Sequence, residues 1–319
     1  MPLISVIIPA YKLAPYIGET LASVCAQTFT DYEVIVINDG SPDTVELERA
    51  LEDFRDRIRY LKQENLGAGA ARNAGLRAAR GEFIAFLDGD DLWLPNYLDE
   101  QIKFTRAHDC DLVCADATMF GETAPAGKTY MEWLMETAPP VGTVSFHELI
   151  SAERCLITSG IVARRQPILD AGLFDESLRT AQDFDLWLRL ARRGAHLMYQ
   201  RKALLRYRCH AQGLTGSTLN SITRELNVLD KIEHGYDLTA DESSEVGNVI
   251  RARRASLEFE LGKVLIAQGE VAAAREAFAK ACSGTRTWKP KVALWLSRLA
   301  PSAMQTVYAR RLAQNASAL

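Results

Sequence analysis

Residues 3–11 read LISVIIPAY, an apolar run that continues from Leu3 to Ile8 and stops at Pro9. An unbroken run rich in β-branched residues fits a strand buried on both faces, as in a parallel sheet. Three more runs follow: YEVIVI at 32–37, a shorter one at 58–61, and EFIAFL at 82–87. Helix-like segments lie between them at 14–27, 44–54 and 68–79. Strands and helices alternating at this spacing predict an α/β fold. Its sheet is mostly parallel, with right-handed crossovers and helices on both faces. The first run has no basic flank and no cleavage site, so it reads as a strand rather than a signal peptide.

Beyond Pro95 the pattern loosens. Residues 111–118 (DLVCADAT) read as a strand, and 121–145 carry enough Gly, Pro and Thr for a loop or insertion. An amphipathic helix over 182–193 places Phe184, Trp187, Leu188 and Ala191 on one stripe. Residues 196–209 suggest two short strands, and from about 221 the composition turns helical. The expected division is a sheet domain over 1–225 and an α-helical extension over 226–319.

Composition narrows the function. The chain has 319 residues, 48% hydrophobic and 24% charged, with 20 Gly and 11 Pro and no short-period repeat, so it folds into real cores. With 37 basic against 41 acidic side chains, the net charge of -4 excludes nonspecific coating of nucleic acid. The six cysteines show no C-x-x-C pair and no zinc spacing, which points to a reducing, cytoplasmic setting. No segment approaches the roughly 18 apolar residues of a membrane span.

Open parallel sheets bind ligands at the carboxyl ends of their strands. Those ends carry Pro9 and Tyr11, then Asn38, Asp39 and Gly40, then Asn65 to Gly67, then Asp88, Gly89, Asp90 and Asp91. Tyr11 can stack on a base, and Asp39 can accept from a base N–H or a ribose hydroxyl. The Asp39-Gly40-Ser41 turn also fits an ordinary helix-capping turn. Asp88 and Asp90, separated by a glycine that permits a tight turn, can hold a hard divalent cation completed by phosphate oxygens. The same stretch also fits a turn before an acidic helix start. In NLGAGAARNAG (65–75) Arg72 replaces the third glycine of a dinucleotide fingerprint, and no P-loop occurs, so dehydrogenase and P-loop NTPase readings fail.

Several ordered blocks now converge: SVIIPAY, QTFTDYEVIVINDGS, QENLGAGAARNAG, GEFIAFLDGDDLWLP, GLFDESL, QDFDLWLRLA and YRCH. Together, over about residues 3–215, they resemble the inverting family 2 glycosyltransferases. The resemblance implies a GT-A fold, a nucleotide-diphosphate sugar donor such as a UDP-sugar, and a Mg²⁺ or Mn²⁺ ion. It implies that Pro9, Tyr11, Asp39, Arg72, Asp88 and Gly89 contact the donor, and that Asp88 and Asp90 hold the metal at the D-x-D position. His210 falls where the family places a group near the diphosphate or metal, and Asp183 falls at the catalytic base. Two positions depart from the pattern: Asn38 replaces a first Asp, and Gln182 replaces a Glu. Surface polysaccharide or glycoconjugate synthesis is the implied setting, with a saccharide or lipid-linked saccharide as acceptor. A sugar nucleotidyltransferase and a noncatalytic binding protein working through its helical tail are the alternatives.

Asp183 also has a structural reading, because Thr180-Ala-Gln-Asp183 matches a helix-capping box. Asp185, two residues on, is expected to point away from Asp183. Residues 255–288 are similar to one tetratricopeptide helical hairpin, which cannot bury its apolar face alone. Residues 286–311 mix Trp288, Trp295 and several Leu with Lys and Arg and no acid, a composition suited either to an anionic membrane surface or to packing on the hairpin.

Overall fold

A computed structural model describes residues 1–317 apart from 126, 136–138, 154, 179, 211–217, 237–239 and 285–286. The chain divides into two compact units, Met1–Phe146 with Arg154–Cys209, and His147–Glu153 with His210–Leu319. In chain order the elements up to residue 208 are β1 (Ile4–Ala10), α1 (Ile17–Cys25), β2 (Tyr32–Asp39), α2 (Thr44–Ala50), β3 (Arg59–Gln63), α3 (Ala68–Ala78), β4 (Phe83–Phe86), β5 (Leu92–Trp93), α4 (Tyr97–His108), β6 (Leu112–Phe120), α5 (Tyr130–Met135), β7 (Gly142–Thr143), α6 (Phe146–Ser151), β8 (Ile161–Arg164), α7 (Arg165–Asp170), α8 (Gln182–Arg192) and β9 (Leu197–Arg208). The helices α9 (Thr218–Gly235), α10 (Ala240–Ala267), α11 (Val271–Gly284), α12 (Lys289–Leu299) and α13 (Pro301–Ser317) follow.

The first unit is built on one nine-stranded sheet of order β3-β2-β1-β4-β8-β6-β9-β5, with β7 also on β9. The four apolar runs form the parallel half, β3-β2-β1-β4, as their pattern predicts. Every residue of β1 is buried, so the unbroken run has no solvent face to accommodate. The other half is mixed, because β8, β5 and β7 pair antiparallel.

Three local expectations are revised. The helix expected over 44–54 stops at Ala50 and continues as a 3-10 turn, Glu52–Arg57. The insertion over 121–145 contains α5 and β7. Residues 196–209 form one strand, β9, rather than two: its first half pairs with β7 and its second with β5, and the extra residues that β9 carries opposite Asp116 of β6 make a bulge between the halves. At that bulge the buried Asp116 carboxylate accepts hydrogen bonds from the Met131 amide and the Tyr199 hydroxyl, at 3.1 and 3.0 Å, and so anchors α5.

In the second unit α10 and α11 form a helix pair that turns at Gly269 with φ +88°. Its apolar face is covered within the unit by α12 and α13, through a core of Ile266, Ala274, Phe278, Ala293 and Met304. Among the described residues no helix is long and apolar enough to cross a membrane, and no disulfide joins the cysteines.

Candidate active site

The carboxyl ends of β1 and β2 are cross-braced. Lys12 N–H donates to the Ser41 hydroxyl at 2.6 Å, and Ala14 N–H donates to Asp43 at 3.0 Å. Pro9 lies buried in the end of β1, while Tyr11 stands just beyond it with 43% of its surface exposed. Asp39 ends β2, and its carboxylate accepts hydrogen bonds from Gln63 Nε2 (2.7 Å), Leu66 N–H (2.9 Å) and Gly67 N–H (2.9 Å). Three of its roughly four lone-pair sites therefore fix the β3–α3 loop. Gly40 permits this: its φ is +62°, and a Cβ there would lie 2.5 Å from the Asn65 nitrogen. Asn38 uses both ends of its amide. Its oxygen accepts from Ser41 N–H, and its nitrogen donates to the Thr44 and Tyr60 hydroxyls. Those hydroxyls spend their own protons on the Ser41 carbonyl and Glu48, so an amide suits this position better than a carboxylate.

Asp88 follows β4 and accepts from Arg72 at 2.6 Å. Arg72 is buried: its side chain is only 7% exposed and its guanidinium lies 5.6 Å from the Phe174 ring. Gly89 packs closely under the β1–α1 loop, where a Cβ would come within 2.9 Å of the Leu13 side chain. Asp90 is partly exposed, and behind it Asp91 is buried. Asp91 Oδ1 accepts from Arg208 N–H at 2.8 Å, whereas the buried Oδ2 has no hydrogen-bond partner among the described residues. Burial first, then the neighbouring Asp90 and Asp88 charges, hold the Asp91 carboxyl well above the usual carboxylate range. The Arg208 guanidinium clamps the loop by donating to the Asp90 carbonyl at 2.7 Å and to Glu19 at 2.9 Å.

Asp183 lies in the first turn of α8, but the capping box does not form. The N-cap is Ala181, in left-handed backbone at φ +57°, with no side-chain cap, so the helix begins one residue too late for Thr180 to cap it. The Asp183 carboxylate instead accepts from the Thr158 hydroxyl and from Phe184 N–H, both at 2.8 Å. Thr158 belongs to a 3-10 turn, Thr158–Gly160, whose next residue accepts Asp88 N–H on its Ser159 hydroxyl at 3.1 Å. Trp93 and Gln101 donate to the Ser159 and Gly160 carbonyls at 2.9 and 2.7 Å and pin this turn. Two adjacent side chains thus tie Asp183 and the D-x-D loop to one place, and neither was apparent from the sequence. Asp185 does point away from Asp183, into the core. It is fully buried and forms an ion pair with Arg189 at 2.8 Å, so replacing it would disturb the core. Gln182 is buried, its Cγ 3.1 Å from where a Cβ on Gly69 would sit. His210 is the first residue of the second stretch of the helical unit.

The family model of glycosyl transferase family 2 matches residues 5–145. An uncharacterized glycosyltransferase of Rickettsia prowazekii is 33% identical over 230 residues, 69% of this chain and 68% of that protein. TuaG of Bacillus subtilis, named for teichuronic acid biosynthesis, is 30% identical over 251 residues, 75% of this chain and 92% of its own. Staphylococcus aureus TarS 1–349, solved with UDP-GlcNAc, superposes with a TM-score of 0.65 at 19% identity over 98% of this chain and 92% of that one. The mannosyltransferase PcManGT of Pyrobaculum calidifontis, solved with GDP-Man and Mn²⁺, gives 0.63 at 17% identity over 99% and 85%. The sheet domain therefore has the GT-A fold of sugar-transferring enzymes. The chain belongs to glycosyl transferase family 2. Other Rickettsia relatives are longer, and the match spans 37% of the length of two of them.

Proposed function

We propose that the chain transfers a sugar with inversion from a nucleoside-diphosphate sugar, a UDP-sugar by preference, to an acceptor hydroxyl. The observation that carries this reading is the Thr158–Gly160 turn. One short turn holds the Asp183 carboxylate on the Thr158 hydroxyl and the Asp88 backbone amide on the adjacent Ser159 hydroxyl, so the base and the D-x-D loop are fixed from a single segment. Tyr11 stacks on the base, and the loop held by Asp39 lines the nucleoside. Asp183 takes the proton from the acceptor hydroxyl. That oxygen then bonds to the anomeric carbon from the face opposite the diphosphate, which leaves with the electron pair of the broken C–O bond.

The donor set fits a hard divalent cation. It is all oxygen, with the Asp88 and Asp90 carboxylates partly exposed and the buried Asp91 Oδ2, unsatisfied among the described residues, behind them. Among the described residues no three acidic, His or Cys groups form a complete cage, so phosphate oxygens would complete the coordination of Mg²⁺ or Mn²⁺. When bound, such a cation neutralises charge on the departing diphosphate. The acceptor is a saccharide or lipid-linked saccharide of a surface polysaccharide, and the helical unit meets a membrane or a protein partner. The test is release of nucleoside diphosphate from a panel of donors with Mn²⁺ or Mg²⁺, and a crystal soaked with UDP and Mn²⁺. No release from any donor, or UDP bound away from Asp39 and Asp90, would overturn the reading.

A further inference from the structure

Helix α12 is built inside out. Its inward face carries small residues, with Pro290, Ala293 and Ser297 buried, and the Ser297 carbonyl accepts from Arg275 at 2.7 and 3.1 Å. Its outward face carries the large ones: Trp288, Val292, Trp295 and Leu299 are 67%, 39%, 59% and 63% exposed. At about 100° per residue these four fall within a strip roughly 60° wide. Leu294 and Leu296 are the large side chains that this helix packs on the core, so the tryptophans are left in solvent, and such a contiguous apolar strip marks a contact surface.

The charge around the strip identifies the partner. Lys289, Lys291 and Arg298 are exposed on its flanks. From residue 277 to 319 the chain has seven Lys or Arg and no Asp or Glu, whereas its net charge is -4. An acidic chain that sets three cations and no acid along one exposed apolar strip carries the two components of interfacial binding: tryptophans at headgroup depth and lysines toward anionic lipid.

We infer that the Trp288–Leu299 face of α12 docks the protein on the surface of an anionic bilayer. This rests on the proposed membrane-side role of the helical unit, and it assigns the face and the lipid chemistry. It needs no membrane span.

The test is flotation of the full chain with vesicles of phosphatidylcholine, with or without about one third phosphatidylglycerol, read together with tryptophan fluorescence. The chain should float with the anionic vesicles at low salt with a blue-shifted emission, stay behind with neutral ones, and release at high salt. Trp288→Glu with Trp295→Glu should lower binding at least about tenfold, and so should Lys289→Glu with Lys291→Glu, each with an unchanged melting temperature. Should the tryptophan variant fail to fold, the lysine variant carries the test. Absence of flotation at low salt overturns the inference. So does equal flotation of either folded variant. A concentration-dependent dimer that the tryptophan variant abolishes, with no vesicle binding, would make the strip a protein interface instead. Release of nucleoside diphosphate from a soluble donor separates the two readings: turnover without flotation sinks only this inference, and flotation without turnover sinks only the transferase reading.

Discussion

Replacing Asp183 with Asn separates a base from a structural carboxylate. The carboxylate accepts two hydrogen bonds, from the Thr158 hydroxyl and the Phe184 amide, both at 2.8 Å. An Asn side chain keeps its oxygen for Phe184 and turns its NH₂ toward Thr158, whose hydroxyl can rotate to accept. Both contacts survive, changed from charge-assisted to neutral, at a cost of about 1 kcal/mol. Losing a general base costs about a hundredfold to ten thousandfold in rate, roughly 3–5 kcal/mol of barrier. The catalytic effect therefore exceeds the structural one several times over. Thermal melting, calorimetric binding of UDP and nucleoside diphosphate release with acceptor present measure the three quantities on one variant. The variant should stay folded, bind the nucleotide and lose at least about a hundredfold in turnover. Near-normal transfer by a well-folded Asp183→Asn protein would refute the assignment.

Asp90→Ala should abolish metal-dependent turnover while leaving stability within about 1 kcal/mol, because the contact from Arg208 is to the Asp90 backbone carbonyl and is retained. Full activity in EDTA sinks the metal assignment. Gly40→Ala forces a Cβ to within 2.5 Å of the Asn65 backbone at φ +62°, so it should cost about 1–3 kcal/mol in denaturant melts and weaken UDP binding by displacing the Asp39 loop. Asp185→Asn removes the buried charge that pairs with the partly exposed Arg189 and should cost about 3 kcal/mol with little direct change in kcat, as urea titration and kinetics would show. A stability change under 0.5 kcal/mol, the ordinary range of surface changes, would show that the pair is dispensable.

The parallel half of the sheet was legible because its signals are local: an apolar run fixes a strand, and the residue after the run lies on the ligand edge. What the sequence hid is long-range. Arg72 reaches Asp88 across 16 residues, Asp183 reaches Thr158 across 25, and Arg208 reaches the Asp90 carbonyl across 118, so no motif spacing marks these partners. The capping box failed for a local reason that composition does not carry, the left-handed turn at Ala181. The same contacts bear on the two positions that depart from the family pattern. Had the transferase domain decayed into a scaffold, Asn38 and Gln182 would be unsupported substitutions around a loosened site. Asn38 instead makes three hydrogen bonds that call for an amide, and Gln182 is buried against α3, where a neutral amide costs less to desolvate than a carboxylate. Each substitution suits its own surroundings while the Asp39, Asp88 and Asp183 carboxylates remain held in place. Decay does not select replacements that fit, so both departures argue for a site maintained for use.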